Sequence, residues 1–172
     1  MVSVSNWFRT YGFGQILPDL LIGAYPTDES DVGMLEWIGV RRVFNLVEDS
    51  EYRKGERASV GKAFAAAGIE EDRLELTDYG GLSVDVIERA VHIINVWLDD
   101  GLRTYLHCRA GWQRSATVAA GVVAVRNRFD IDEALAFVQQ QKPSADPLPH
   151  QRDDLRQWWE WHGHHAHQLK AS

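Results

Sequence analysis

The chain has 172 residues, of which 45% are hydrophobic, and this is enough for one domain with its own core. Its net charge of −7 argues against a nucleic-acid partner and against a general attraction to anionic membranes. A single cysteine excludes an internal disulfide, and no apolar run is long enough for an integral membrane segment. Residues 1–14 lack the apolar region of a secretory signal, so we expect a cytoplasmic protein.

The first predicted elements alternate short strands with helices. Residues 1–14 are interpreted as an N-terminal extension. A turn at Pro18-Asp19 separates two short predicted strands, 15–17 and 20–22. The elements that follow are a helix over 31–38, an apolar strand over 43–47, a charged loop over 48–56 and a helix through Phe64 that ends at Gly68.

A glycine-containing loop follows a predicted strand in the middle of the chain. Residues 74–77 alternate in the manner of a strand and lead into residues 78–81, Asp-Tyr-Gly-Gly. The two glycines predict a flexible tip. Ser83 is then the predicted N-cap of a helix that stops at Gly101. The apolar residues of this helix recur at helical spacing: Val84, Ile87, Val91, Ile94 and Leu98.

The only cysteine lies in a loop between a predicted strand and a predicted helix. Residues 102–106 are typical of a short buried strand. Residues 115–125 are apolar nearly all round, which is typical of a buried helix. Such a unit directs the backbone N–H groups of the loop and the positive end of the helix dipole at one point. The sequence therefore predicts an anion site around Cys108.

Several residues of this loop suit attack on a phosphate group. A helix N-terminus and a nearby cation lower the pKa of a thiol from about 8.5, so Cys108 is expected as the attacking thiolate. Arg114 offers a planar fork of donors that matches two phosphate oxygens. Gly111 lets the backbone curl with φ > 0, so that successive N–H groups face inward. Ser115 can donate its hydroxyl to the sulfur, and His107 is expected to fix loop geometry by hydrogen bonding. The predicted substrate-binding residues are Arg109, Ala110, Gly111, Trp112, Gln113 and Arg114.

The alternative for the cysteine is an inert, buried side chain at the end of a strand, which is common for a lone cysteine. The coincidence of Cys108, Gly111 and Arg114 at suitable offsets between a strand and a helix favours the catalytic interpretation.

Two further helices close the chain. They are predicted over 132–141 and over about 151–161, with a proline-containing link between them. The tryptophans of the last helix are expected to pack it on the core: Trp158, Trp159 and Trp161. Residues 162–172 are expected to be a frayed tail. We expect neither a metal nor another cofactor, although the tail has histidines that could hold a transition metal: His162, His164, His165 and His167.

Strands that alternate with helices are typical of α/β folds. No internal repeat, linker or low-complexity segment divides the chain. We therefore predict a single domain over 1–172, with a central, mostly parallel sheet flanked by helices.

The Cys-x5-Arg-Ser loop at 108–115 resembles that of the cysteine-based protein tyrosine phosphatase superfamily, and the short chain resembles its dual-specificity branch. The similarity extends from about residue 20 to about residue 159. It includes 21–26, 39–46, 133–135 and Lys142-Pro143, where the family more often has arginine before the proline. The resemblance implies a dual-specificity-phosphatase-like fold and hydrolysis of phosphomonoesters through a phosphocysteine. It also implies that Asn45 supports the catalytic loop, and the alternative is a simple polar residue at the end of its strand.

The resemblance further implies a catalytic aspartic acid on a loop about thirty residues before the cysteine, and Asp78 lies there. A mobile loop can bring a carboxyl group over the phosphate and shield the site from water. A positioned acid can then supply the proton that the leaving oxygen needs. The alternatives are an ordinary turn aspartate at Asp78 and an acid role for Asp85. Asp85, however, falls in the first turn of the next helix, where a carboxylate complements the dipole.

The expected substrate is a phosphorylated protein or a small phosphate ester, since Trp112 near the rim can stack on phosphotyrosine. The chain has little extra sequence to build deep walls, as in dual-specificity and lipid-directed members. Residues 6–9 and 78–91 also resemble the phosphatidylglycerophosphate-phosphatase subgroup. A phospholipid substrate, phosphatidylglycerophosphate or a phosphoinositide, is therefore the alternative. Lipid-directed relatives tend to carry further basic residues inside the loop, where this chain has only Arg109.

Two other classes of function stay open. A rhodanese-type sulfurtransferase also places a cysteine in a loop before a helix, but its common loop is one residue shorter and it has no use for an acid at Asp78. An inactive phosphate-binding module needs neither sulfur nor acid. The presence of Cys108, Arg114 and Asp78 together favours the hydrolase over both.

Overall fold

The computed structural model describes the backbone of residues 3–170 and the side chains of residues 3–166. A five-stranded sheet lies at its centre, in the order β1-β2-β5-β3-β4. The strands are β1 (Phe13–Leu17), β2 (Leu20–Gly23), β3 (Arg42–Asn45), β4 (Glu70–Arg73) and β5 (Thr104–His107). β1 and β2 pair antiparallel as a hairpin, whereas β2–β5, β5–β3 and β3–β4 pair in parallel. The prediction of an α/β fold with a mostly parallel sheet is confirmed.

Helices cover both faces of the sheet. One face packs against α1 (Asn6–Tyr11), α2 (Glu29–Trp37) and α3 (Glu56–Ala67). The other face packs against α4 (Val84–Asp99), α5 (Arg114–Asn127), α6 (Ile131–Gln141) and α7 (Pro149–Lys170). Within residues 3–170, none of the helices is both long and apolar enough to cross a membrane.

The strands alternate between these two layers because successive side chains of a strand point to opposite faces. In β5, Tyr105 faces the layer of α1 to α3, and Leu106 faces the layer of α4 to α7. In β3, Val43 and Phe44 divide in the same way. The second layer surrounds α5, whose residues 114–124 are all buried. The start of α5 is therefore held rigidly against the centre of the sheet.

The fourth strand differs from the prediction. The sequence predicts a strand over 74–77, whereas β4 is Glu70–Arg73, so that prediction is wrong. β4 lies at the edge of the sheet and pairs with β3, so backbone hydrogen bonds hold it, while Glu70 is exposed and its other charged residues are half-buried. An edge strand of this kind has no apolar alternation to reveal it.

The C-terminal helix is longer than predicted. The sequence predicts an end near Trp161, whereas α7 continues to Lys170 and includes most of the segment expected to be frayed. Gly163 is a weak helix former, but one glycine does not end a helix. The expected packing of the tryptophans is confirmed, since Trp158 is fully buried and Trp159 and Trp161 pack against the same core cluster.

Candidate active site

The loop that carries the cysteine joins the carboxyl end of β5 to the start of α5. β5 lies between β2 and β3, and all four of its residues are buried. The carboxyl ends of strands in open α/β sheets are where ligands bind. Cys108 is 3% exposed, and its Sγ lies 3.3 Å from Oγ of Ser115. The structure thus contains a strand–loop–helix unit with the thiol inside it.

Gly111 lets this loop bend against the neighbouring hairpin. Its φ is +78°, and an added Cβ would lie 2.6 Å from the backbone of Gly23 in β2. A side chain at this position would therefore be strained in conformation and would collide with β2. The carbonyl of Arg109 accepts a hydrogen bond from the amide of Tyr25 at 3.1 Å, which fastens the loop to the segment after β2.

Arg114, the first residue of α5, is held in one orientation. Its side chain is 1% exposed, and Nη1 and Nη2 donate to the two carboxylate oxygens of Glu51, each at 2.8 Å. Nη1 also donates to the carbonyl of Leu76 at 2.8 Å, and Nη2 lies 3.1 Å from Oδ1 of Asp78. Nε is buried and has no partner among the described residues. The guanidinium group of Arg114 therefore has its Nε–H available to donate to an anion.

Glu51 is a site residue that could not be identified from the sequence. It lies in a 3₁₀ turn, Asp49–Glu51, inside the predicted charged loop. Burial raises the pKa of this carboxyl, but hydrogen bonds from Arg114 and from the backbone of Glu48 outweigh burial and hold the pKa below its ordinary value. Glu51 is thus an ionised partner for the buried arginine. A buried arginine requires such a partner, but several acidic residues of the loop qualify equally by sequence.

Opposing effects act on the Cys108 thiol. Burial raises its pKa, whereas the charge of Arg114 and hydrogen bonds from the Ser115 hydroxyl lower it. The backbone N–H groups of Ser115 and Gln113 lower it further. The net result is a pKa below the ordinary value of a thiol, which favours the nucleophilic thiolate.

Ser115→Ala is expected to raise the pKa of Cys108, because the hydroxyl stabilises the anion. Iodoacetamide alkylation of the thiol at pH 6 should become about tenfold slower, since a hydrogen bond to a charged group contributes about 1.5 kcal/mol or more. The pH dependence of the alkylation rate measures this change. Thr117→Val, which removes a hydroxyl bonded to the Gln113 carbonyl on the same helix, is the control and should leave the midpoint unchanged. An unchanged midpoint in Ser115→Ala would exclude this role of the hydroxyl.

His107 is buried directly before the cysteine. Its Nδ1 lies 3.2 Å from the carbonyl oxygen of Cys108, and because a carbonyl can only accept, Nδ1 carries the proton. Burial lowers the pKa of His107 to about 3, so the ring is neutral near pH 7. A neutral ring in this position can orient the loop and does not exchange protons at neutral pH.

Asp78 lines the same pocket as Cys108 and Arg114, and its side chain is 31% exposed. Asp85, the alternative acid, is exposed in the first turn of α4 and lies outside the pocket lining. The structure therefore brings Asp78 to the thiol and the guanidinium group, and it leaves Asp85 in solvent.

Asn45 contacts a different loop from the one implied by the resemblance. Its Nδ2 donates to the hydroxyl of Tyr52 at 2.8 Å and to Glu71 at 3.2 Å, and its Oδ1 accepts from the amide of Val47 at 2.8 Å. These bonds stabilise the segment after β3, which carries Glu51. Asn45 thus supports the arginine's partner, and none of its hydrogen bonds within the described residues reaches 108–115.

The pocket above the thiol has aromatic walls and a volume of about 280 Å³. Trp7 and Tyr11 of α1 line one side, and Tyr79 and the 43% exposed Trp112 also line it. The rings of Tyr11 and Trp112 meet edge to face, with centroids 5.5 Å apart. The remaining lining residues are Asp78, Cys108, Arg109, Ala110, Gln113 and Arg114.

The sequence does not predict the contribution of α1, because it indicates only an N-terminal extension over residues 1–14. Ser5 caps this helix, Phe8 is buried in the core, and Trp7 reaches the site. The Trp7 indole N–H donates to the carbonyl of Arg109 at 3.0 Å, and the Arg109 guanidinium lies over the ring at 5.3 Å. The available signal was a good N-cap residue followed by two adjacent aromatic residues.

No group of three or more His, Cys, Asp or Glu side chains within residues 3–166 could hold a metal ion. Of the histidines considered for a metal, His162 pairs with Glu88 at 3.0 Å, and Nδ1 of His165 bonds to the Trp161 carbonyl. The side chain of His167 lies outside the described residues.

Comparison with known proteins identifies phosphatases as the relatives of this chain. A family model described as "Dual specificity phosphatase, catalytic domain" matches residues 22–160. Phosphatidylglycerophosphatase and protein-tyrosine phosphatase 1 from Homo sapiens is 25% identical over 154 residues, covering 89% of this chain and 73% of that protein. Protein tyrosine phosphatase domain-containing protein 1 from Bos taurus is 28% identical over 120 residues, covering 62% of this chain and 14% of that protein. The chain thus spans most of one relative and a small part of the other.

A solved structure agrees with the fold. The crystal structure of PTPMT1 in complex with PI(5)P superposes with a TM-score of 0.79 at 23% identity. The match covers 90% of this chain and 98% of that chain. Helix and strand arrangement are therefore shared at low sequence identity.

Proposed function

The chain belongs to the dual specificity phosphatase family, whose members are phosphomonoester hydrolases, and from this premise we propose that Cys108 is its nucleophile. The thiolate attacks the phosphorus atom, an S–P bond forms, and the bond from phosphorus to the ester oxygen breaks. Asp78, in its protonated form, gives its proton to the departing oxygen. The Arg114 guanidinium and the loop N–H groups hold the phosphoryl oxygens throughout.

Hydrolysis of the phosphocysteine completes the cycle. Asp78, now a carboxylate, takes a proton from a water molecule whose oxygen attacks phosphorus. The S–P bond breaks, inorganic phosphate is released and the thiolate returns. Ser115 donates its hydroxyl to the departing sulfur, which lies 3.3 Å away.

One observation carries this proposal: a nucleophile and a fixed cation from the 108–115 loop and a carboxyl group from a separate loop, Asp78, converge on one pocket. Glu51 holds Arg114 on two nitrogens, so the fork need not be reorganised when a phosphate binds. His107 supports the catalytic loop, and Asn45 supports the segment of Glu51, the partner of Arg114. Neither residue takes part in proton transfer. We assign no metal or cofactor to the reaction. A binding module would need neither the thiolate nor Asp78.

We propose an aryl phosphate as substrate, in the form of phosphotyrosine on a protein. Trp7, Tyr11 and Trp112 form walls against which a phenyl ring can pack, and such aromatic pairs contribute about 0.5–1.5 kcal/mol beyond burial. Substrate contacts in the loop come from residues 109–114. A net charge of −7 disfavours nucleic acid and anionic membrane surfaces. The lone thiol suits a reducing, cytoplasmic compartment.

A phospholipid phosphate is the second candidate, because one relative is named a phosphatidylglycerophosphatase and a protein of this fold was crystallised with PI(5)P. Arg109 is the one extra cation inside the loop, and it lies over Trp7.

We also propose that the described residues act as one catalytic domain, because α1, which precedes the family match, supplies two walls of the pocket.

The test is a panel of substrates compared by kcat/KM: a phosphotyrosine peptide, a phosphoserine peptide, and vesicles with a phosphoinositide or phosphatidylglycerophosphate. The phosphotyrosine peptide should exceed the phosphoserine peptide by at least about tenfold, and Trp112→Ala should reduce that ratio. Trp37→Ala, at an exposed position on α2, is the matched control. A higher kcat/KM for a phospholipid vesicle would favour a phospholipid phosphatase. Thiocyanate made from thiosulfate and cyanide would indicate a sulfurtransferase.

A further inference from the structure

The segment that carries Asp78 is held at its first half by the body of the sheet. Leu76 donates its amide to the carbonyl of Leu46 at 3.1 Å, and its own carbonyl accepts from Arg114 at 2.8 Å. The backbone just before Asp78 is therefore fixed in position. The second half, residues 79–82, is held by a different element.

The first turns of α7 form hydrogen bonds with that second half at three residues. Nε2 of His150 donates to the carbonyl of Tyr79 at 2.9 Å, and Nε2 of Gln151 donates to the carbonyl of Gly80 at 3.0 Å. Oδ2 of Asp154 accepts from the amide of Leu82 at 2.8 Å. These three side chains of α7, His150, Gln151 and Asp154, are named the latch.

Gln151 is the best fixed member of the latch. It is 0% exposed, and while its Nε2 holds Gly80, its Oε1 accepts from the amide of Leu148 at 2.9 Å. Both ends of the amide are thus used, so its orientation is determined by the turn that begins α7. A buried amide with both ends bonded keeps a single rotamer.

The loop fits closely against the latch. An added Cβ at Gly80 would lie 2.9 Å from the Thr77 carbonyl, and one at Gly81 would lie 3.0 Å from Oδ2 of Asp154. Tyr79 has a φ of +61°, a conformation that non-glycine residues seldom adopt without support. Of the two glycines that predict a flexible tip, Gly81 therefore allows the close approach to α7, and Gly80 allows the loop to turn closely against Thr77.

We propose that the latch is a positioning device for the acid: it holds the loop so that Asp78 stays over Cys108, and Gln151 is its central positioning residue. This inference rests on the proposed acid role of Asp78. Neither Gln151 nor Asp154 lines the pocket, so the latch acts through the loop and not on substrate. A small displacement of a catalytic group can cost a large factor in rate, which makes such a support measurable.

The test uses Gln151→Met in the full chain, which keeps the side-chain volume and removes both hydrogen bonds. With an alkyl phosphate, whose leaving oxygen needs the proton, kcat should fall by about 10-fold or more. With a phosphate ester that has a good leaving group, kcat should fall less than about twofold. Gln157→Met, at an exposed position on the same helix, is the matched control and should change neither value.

A double-mutant cycle separates positioning from general loss of structure. In an Asp78→Asn background, Gln151→Met should have no further effect on the ratio between the two substrates, because the group that it positions is already absent. Equal slowing of both substrates, or independent effects in the cycle, would overturn the latch. If Asp78→Asn alone leaves the ratio unchanged, the acid assignment fails and not merely the latch.

Asp154→Ala provides a second route should Gln151→Met fail to fold. It removes the acceptor for Leu82 from a partly exposed position and should lower the same ratio. The control for Asp154→Ala is Asp153→Ala, which breaks a surface ion pair with Arg156 on the same helix. An unchanged ratio in a folded Asp154→Ala protein would contradict the proposal.

Discussion

Cys108→Ser is expected to reduce turnover of an aryl phosphate by about 10⁴-fold or more, the scale of loss on removing a catalytic nucleophile. A hydroxyl in place of the thiol does not ionise near neutral pH, so the attacking anion is lost. Phosphate binding should persist, because Arg114 and the loop N–H groups are untouched. It should even strengthen, since the variant no longer places a negative sulfur beside a dianion.

Steady-state kinetics and calorimetric binding of inorganic phosphate measure the two effects. Acid-quenched enzyme should carry one phosphoryl group on the wild-type chain by mass spectrometry and none on Cys108→Ser. Iodoacetamide provides an independent check, since Cys108 is the only cysteine and its alkylation should stop turnover. Hydrolysis that survives both treatments would remove the phosphocysteine from the mechanism.

Asp78→Asn is expected to slow substrates with poor leaving groups by about 10²–10⁴-fold, the usual contribution of a positioned acid. Substrates whose leaving group departs without a proton should slow far less. The shape of the site should be kept, since asparagine matches aspartate in size and can still approach Arg114, 3.1 Å away in the native protein. The measurement is kcat against leaving-group pKa for a series of aryl phosphates.

Asp85→Asn is the matched control for that experiment. Asp85 lies seven positions further on, exposed at the start of α4, and its removal should leave the leaving-group dependence as in the native protein. A dependence that stays shallow in Asp78→Asn and becomes steep in Asp85→Asn would exchange the two assignments.

Elements with a clear apolar period were predicted well. The apolar residues of α4 recur every three or four positions, and the helix begins after Ser83 and ends before Gly101, as predicted. β4 was missed because its residues, Glu-Glu-Asp-Arg, have no apolar face, and only backbone pairing with β3 makes them a strand. Local patterns thus reveal elements that bury a face and miss elements that are held by their neighbours.

Contacts between distant segments could not be predicted from the sequence for a related reason. Glu51 is one of several acids in a charged loop, and nothing local distinguishes it as the partner of Arg114. Trp7 precedes the family match, and Gln151 follows a proline-containing link, yet one lines the pocket and the other supports its acid loop. Each of these assignments depends on which loops meet at the carboxyl edge of the sheet.

The chain itself determined the loop from Cys108 to Ser115, because the thiol, the glycine and the arginine are neighbours along the backbone and their spacing alone suits an anion. Only the tertiary structure decided what surrounds that loop. The strand order β2-β5-β3 brings the end of β3, and with it Glu51, beside Arg114. Helix packing brings α1 to the pocket and α7 to the loop that carries Asp78. Short-range geometry follows from covalent connection, whereas the partners of a buried charge follow from which surfaces are buried together.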